Sequence, residues 1–223
     1  MAAEQGHAKA QYNMGNAYRS SYGVPYDKSE AVKWYRLAAE QGLAEARYNL
    51  GQAYYFGDGV EKNKSEAVKW CRLAAEQGLA EAQYNMGQAY YLGIVVGKTK
   101  YEAVKWFRLA AEQGHAEAQF NLACAYYNGD GVAEDKVEAV KWVRLAAKQG
   151  IAKAKFYLGT AYENGVGVAQ DKAEADKWYK LAAEEGDEEA QIKLGRIRVN
   201  VWDPPFRNSK ENFGLNRRSW GDG

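Results

Sequence analysis

A motif close to Ala-Ala-Glu returns every 36 residues, and a glycine follows it two positions later, at Gly6, Gly42, Gly78, Gly114, Gly150 and Gly186. A tryptophan keeps the same step, at Trp34, Trp70, Trp106, Trp142 and Trp178. A fixed period of this length is the mark of stacked supersecondary units, each too small to bury its own apolar face. It constrains function as well as fold, because such arrays work by presenting extended surface.

One unit, residues 43–78, contains two helical patterns. Ala46, Leu50, Ala53 and Tyr54 form one face of a first helix, and Ala67, Trp70, Cys71, Ala74 and Ala75 form one face of a second. Between them lies Gly57-Asp58-Gly59-Val60, a turn whose glycines accept positive φ. Asp27, Asn63, Thr99, Asp135 and Asp171 precede the second helices as N-caps. Three residues on stand Glu30, Glu66, Glu102, Glu138 and Glu174, the spacing of a capping box. The closing glycine fits a left-handed C′ position. Gly15, Gly51, Gly87, Gly159 and Gly195 share one position, where a close helix approach beneath the tryptophan is expected; the fourth repeat has Ala123 there. His7 and His115 occupy a position held elsewhere by Leu43, Leu79 and Ile151, which reads as packing at the start of a helix.

The period divides the chain into five units, 7–42, 43–78, 79–114, 115–150 and 151–186. Met1 aligns with Leu37, so residues 1–6 read as the last turn of a preceding helix, and the chain is expected to be a piece of a longer array. Residues 187–198 read as a polar capping helix, with Glu188, Lys193, Arg196 and Arg198. Residues 199–223 abandon the repeat. Their aromatics, Trp202, Phe206, Phe213 and Trp220, leave two readings open: a disordered tail, or a segment folded back onto the array.

Charge is balanced, 30 Lys and Arg against 29 Asp and Glu, so there is no electrostatic footprint for nucleic acid. No apolar run approaches the roughly 20 residues that span a bilayer, and no signal peptide is visible, which leaves the compartment open. Cys71 and Cys124 sit at different repeat positions and read as free thiols. No clustered spacing for a metal, no nucleophile motif and no cofactor motif appears.

Tyr48-Asn49-Leu50-Gly51-Gln52-Ala53-Tyr54, Gly57-Asp58-Gly59-Val60, Glu66-Ala67-Val68-Lys69-Trp70 and Ala74-Ala75-Glu76-Gln77-Gly78 resemble the Sel-one-like repeat (SLR), a relative of the tetratricopeptide repeat. The resemblance covers about residues 1–198. It implies an all-α fold, an α/α right-handed superhelix or solenoid of helix-turn-helix repeats, with the first helix of each pair lining the concave side. It further implies a non-enzymatic adaptor or scaffold whose partner is a protein or an extended peptide. Two alternatives stay open: an enzyme that binds or hydrolyses β-lactams, as some relatives are linked to, and an architectural segment of a longer platform.

If first helices line the concave side, the exposed stripe Glu45, Asn49, Gln52 and Phe56 is the candidate partner-binding surface. Its equivalents form a ladder of Asn13, Asn49, Asn85, Asn121 and Tyr157, beside a second rung of Asn16, Gln52, Gln88, Cys124 and Thr160 and flanking Tyr55, Tyr91 and Tyr127. Amides both donate and accept, which suits a peptide backbone. The competing reading is a solvated helix residue copied when the unit duplicated. Paired basic residues are missing from the stripe, so a basic carboxylate clamp is not expected in the first four repeats. Arg36–Glu40 and similar pairs read as a solvated outer face. The third turn, Gly93-Ile94-Val95-Val96-Gly97, carries Ile94 and Val95 either as a contact site or as local repacking. The N-terminal end lacks a comparable cap, and that face is expected either to stack on further repeats or to self-associate with another molecule.

Overall fold

The computed structural model describes residues 3–195, which contain eleven helices and no strand. Ten helices of 13 residues follow one another, two to each repeat: α1 (Ala8–Ser20), α2 (Lys28–Glu40), α3 (Ala44–Phe56), α4 (Lys64–Glu76), α5 (Ala80–Leu92), α6 (Lys100–Glu112), α7 (Ala116–Asn128), α8 (Lys136–Lys148), α9 (Ala152–Asn164) and α10 (Lys172–Glu184). A short α11 (Glu188–Lys193) follows. Helix-turn-helix pairs repeating about every 36 residues are the pattern of an all-α solenoid. The described residues fall into two compact units, 3–99 and 100–195. In the first, α1 to α5 pack each on the next; in the second, α6 to α11 do the same. The tail 199–223 and the expected last turn of the capping helix lie outside the described residues. Residues 3–6 form a turn closed by the Gly6 N–H on the Ala3 carbonyl.

The second helices bury a narrow stripe. In α4 it is Ala67, Val68, Cys71, Ala74 and Ala75. Trp70 is only half-buried, a correction to the expected face, because the stripe turns onto Val68 and Cys71. The close approach at the first-helix glycines is likewise to the residue after each tryptophan. A Cβ on Gly15 would stand 2.6 Å from the Tyr35 ring and one on Gly159 2.8 Å from the Tyr179 ring, while one on Gly51 would meet the Ala67 carbonyl at 3.1 Å. Gly195 does not belong to this set: its φ is +69° and no neighbour crowds it.

The caps are formed in half of the expected way. Asp27, Asn63, Asp135 and Asp171 each accept from the N–H three residues on. In the second and fifth repeats the glutamate of the box turns forward instead. Glu66 accepts from Trp70 Nε1 at 3.1 Å and Glu174 from Trp178 Nε1 at 3.1 Å. A half-buried indole N–H needs an acceptor, and in the second and fifth repeats the carboxylate one turn earlier supplies it, while Trp142 Nε1 in the fourth has no partner among the described residues.

Repeats are tied together by side chains that reach across to a neighbour. Gln83 donates to the Ala75 carbonyl at 3.2 Å, Gln119 to Ala111 at 3.1 Å and Gln191 to Ala183 at 3.0 Å, so the first helix of one repeat satisfies carbonyls at the end of the preceding helix. Arg36 donates to Tyr54 Oη at 2.6 Å, Arg72 to Tyr90 Oη at 3.0 Å and Arg144 to Tyr162 Oη at 2.9 Å, with each guanidinium also over the ring. The expected Arg36–Glu40 surface pair is therefore replaced by an inter-repeat tie. His7 and His115 are N-caps, and His115 Nδ1 accepts from the Ala118 N–H at 3.4 Å.

Val95 stands where the neighbouring repeats have Gly59, Gly131 and Gly167, and it holds a left-handed φ of +64°. A β-branched residue there is strained. Val95→Gly is expected to stabilise the first unit by about 1–2 kcal/mol, read from the urea midpoint at constant m. An unchanged or lower midpoint removes the strain argument.

Candidate functional site

Two clefts open at the same place in the repeat, one in each unit. In the first unit Arg19 comes from α1, Lys28, Val32 and Tyr35 from α2, Tyr48, Asn49, Gln52 and Phe56 from α3, and Asp58 from the turn after it; the cleft encloses about 400 Å³. In the second unit α7, α8 and α9 form a cavity of about 60 Å³. There Tyr127, Val140, Val143, Tyr157, Thr160, Asn164 and Val166 stand three repeats on from Arg19, Val32, Tyr35, Asn49, Gln52, Phe56 and Asp58. Each cleft lies between the first helices of two successive repeats and the second helix between them, with the small residues Ala31 and Ala139 in its lining.

The two clefts differ in chemistry. The first has a polar wall. Gln52 Nε2 donates to Tyr48 Oη at 3.0 Å, and Tyr35 Oη donates to Asn16 Oδ1 at 2.8 Å. Lys28 pairs with Asp58. Burial raises Tyr35 and pushes Tyr48 up to about 12, so both phenols are neutral at pH 7. The second is apolar, with Phe120, Val140 and Val143 facing Tyr157. The Phe120 and Tyr157 rings lie 5.6 Å apart. Burial raises Tyr157 and pushes the Cys124 thiol up to about 12, which leaves that sulfur protonated and unreactive. Cys71 is buried, its thiol donates to the Ala82 carbonyl at 3.4 Å, and burial raises it too.

The expected ladder divides along its length. Asn13 is exposed, and Asn16, Asn49 and Gln52 are half-buried, with Asn49 and Gln52 on the first cleft wall. Tyr127 and Tyr157 line the second cleft, and Lys136 Nζ lies 3.6 Å from the Tyr127 ring centroid. Asn85, Gln88 and Asn121 are enclosed, the first two at 2% and Asn121 at 0% exposure, rather than displayed. Gln88 donates to Tyr84 Oη at 2.9 Å, and Asn85 meets the Tyr48 hydroxyl. Tyr55 and Tyr91 are buried as well, with lysine ammoniums 5.6 and 5.9 Å from their ring centroids. Identical residues thus occupy different environments along the array.

Sequence reasoning passed over Arg19 and the Lys28–Asp58 pair. Arg19 replaces the tyrosine of the next three repeats, and that break in the period was its signal. The lysine and aspartate are 30 residues apart, a spacing shared by Lys100 and Asp130, which lie 2.6 Å apart. Among the described residues no three His, Cys, Asp or Glu side chains gather as a metal site, and no helix is long and apolar enough to cross a membrane.

Stacked helix pairs with an open cleft at a repeated position define a helical-repeat protein. Five successive Sel1 repeats match, at residues 8–43, 44–79, 80–115, 116–151 and 152–187, and the chain belongs to the Sel1 repeat family. It is similar to a protective antigen of uropathogenic Escherichia coli that displays an SLR fold, with 40% identity and a TM-score of 0.83 over 88% of this chain. The chain spans 42% of that antigen's length. A Sel1 repeat protein from Oxalobacter formigenes shares 36% identity with a TM-score of 0.78, over 91% of this chain and 82% of its own. An immunity protein from Pseudomonas aeruginosa shares the fold at 24% identity and a TM-score of 0.50, over 88% of this chain and 73% of its own. No curated protein matches. Sel1 repeat proteins are typically protein-interaction scaffolds, and the family is mostly non-enzymatic.

Proposed function

We propose that this chain is a non-enzymatic interaction scaffold that holds extended peptide segments of a protein partner in the clefts between successive first helices. The observation that carries the reading is the recurrence of a cleft at one position of the repeat, with its chemistry changed from polar in the first unit to apolar in the second. A duplicated unit needs no cleft to fold. Side chains that vary at a fixed cleft position, over a floor that stays small, are what a surface selecting among peptides requires. Asn49 and Gln52 offer amides to a backbone, and Val140, Val143 and Tyr157 offer an apolar seat to a side chain.

The test is selection of peptides from a random extended library on the full chain, followed by titration of the selected sequences. Asn49→Ala with Gln52→Ala in the first cleft, or Val140→Lys in the second, is expected to weaken the corresponding peptides by roughly ten-fold, about 1.4 kcal/mol. The thermal midpoint of the Asn49→Ala, Gln52→Ala variant should fall only slightly, since both side chains are half-buried and the losses are hydrogen bonds to the Tyr48 and Tyr35 hydroxyls. Affinities that ignore both sets of substitutions place binding elsewhere and end the proposal.

A further inference from the structure

Arg19 breaks the repeat at the rim of the first cleft. The equivalent residue is Tyr55, Tyr91 or Tyr127 in the next three repeats and Glu163 in the fifth. In the second and fourth repeats that tyrosine takes its own repeat's lysine over the ring, Lys64 at 5.6 Å and Lys136 at 3.6 Å from the centroid. In the first repeat the lysine is engaged elsewhere, by the Asp58 carboxylate. Arg19 is exposed and makes no hydrogen bond or ion pair among the described residues. The charges facing the cleft are Arg19 from α1, Lys28 from α2 and Asp58 from the turn after α3; α3 contributes only Tyr48, Asn49, Gln52, Ala53 and Phe56. Lys28 and Asp58 cancel, and one guanidinium is left over an amide wall.

We infer that this cleft binds a carboxylate, carried as the Asp or Glu side chain of an extended partner peptide, with Arg19 as its ligand. The inference rests on the peptide-groove reading above and names the chemistry of the partner at this cleft. A guanidinium presents a planar fork that matches a carboxylate in two parallel hydrogen bonds. A single uncompensated positive charge matches a monoanion, whereas a phosphate, with nearly two charges, is held by clustered arginines. A side-chain carboxylate leaves the peptide backbone continuous on both sides, so that it can pair with Asn49 and Gln52; a chain end would leave part of that wall unused. The neutral phenols of Tyr35 and Tyr48 add no opposing charge.

The experiment uses the full chain and end-blocked peptides Ser-Ala-Glu-Ala-Ser and Ser-Ala-Gln-Ala-Ser, titrated by NMR on the side-chain amides of Asn49 and Gln52. At low salt the Glu peptide is expected to bind roughly three- to ten-fold more tightly than the Gln peptide, as one partly shielded charge pair provides. Arg19→Tyr installs the residue that repeats two to four carry, so the fold tolerates it. It should erase the preference for Glu and leave the Gln peptide unchanged, while Arg19→Lys should keep part of it. Equal binding of the two peptides to the native chain, or a preference that survives Arg19→Tyr, overturns the inference. So does a preference seen only when the peptide's C-terminus is left unblocked. Asn49→Ala separates the two readings: if it weakens the Gln peptide, the groove stands whatever Arg19 does. If neither peptide perturbs the cleft amides at millimolar concentration, both readings fall.

Discussion

Gly59→Ala is expected to cost roughly 2–5 kcal/mol, while Gly78→Ala in the same repeat costs about 1–2 kcal/mol. Both glycines hold left-handed backbone, with φ of +74° and +96°. They differ in what surrounds them. A Cβ on Gly78 meets nothing within 4 Å, so its penalty is conformational alone. A Cβ on Gly59 runs into the Lys28 carbonyl of the preceding repeat, and backbone on backbone has no flexible end to move aside. Gly131 lies in the same way against Lys100, and Gly167 against Lys136. In the second, fourth and fifth repeats the inter-helix turn is therefore the seat of the repeat on its predecessor, and the helix-ending glycine is only a stop. Val95 shows that the conformational part can be borne, with its side chain 54% exposed. Urea unfolding of the two variants decides the point: equal losses would mean that the turn yields and that Gly59 has no steric role.

That distinction was invisible in the sequence, where Gly59 and Gly78 recur with equal regularity. What the sequence disclosed well was whatever is local. Helix lengths, the Asp and Asn caps and the left-handed glycines depend on neighbours within one turn, and each came out where the spacing put it. Relations between repeats were harder to see. The helical spacing puts Trp70 and Cys71 on one face, yet only Cys71 is fully buried, as are Tyr35 and Tyr179 at its place in the first and fifth repeats. Nothing in a 36-residue alignment distinguishes Asn49 on a cleft wall from Asn121 at 0% exposure. The ties between distant residues do carry a signal, one at 30 residues: Lys28 with Asp58, Lys100 with Asp130 and Glu163 with Lys193 cross a repeat boundary, and Gln11 with Gln41 and Gln119 with Gln149 join the two ends of a single repeat. A turn or helix end facing the previous repeat is offset from the repeat length by its own position within the unit. A search at the repeat period alone misses it, and Arg19 was missed for the same reason, since only its departure from the period gave it meaning.

The apolar cleft of the second unit has a specific origin, and exchanging two residues should close it. In repeats one and five a glycine on the first helix faces a tyrosine on the second, Gly15 with Tyr35 and Gly159 with Tyr179. The fourth repeat has Ala123 and Val143 at these positions, and both line the cavity. The added methyl and the lost ring go together, since an alanine Cβ at Gly159 would stand 2.8 Å from the ring it replaces here. Val143→Tyr alone should overpack against Ala123 and cost about 1–3 kcal/mol. Ala123→Gly alone should cost about 1 kcal/mol in helix propensity. Together they should cost at least about 1 kcal/mol less than the sum, because the glycine admits the ring that the alanine excludes. The new phenol then needs an acceptor. Tyr35 finds one in Asn16 at 2.8 Å, and Tyr179 finds Thr160 at 3.2 Å and Glu163 at 2.8 Å; Cys124 at the matching place is a poor one, so adding Cys124→Asn should recover further stability. The filled variant should lose peptides selected by the second cleft and keep those selected by the first. Strictly additive single effects, or a double variant that still binds the apolar peptides, would show that the small pair is incidental and that the cleft is made by something else.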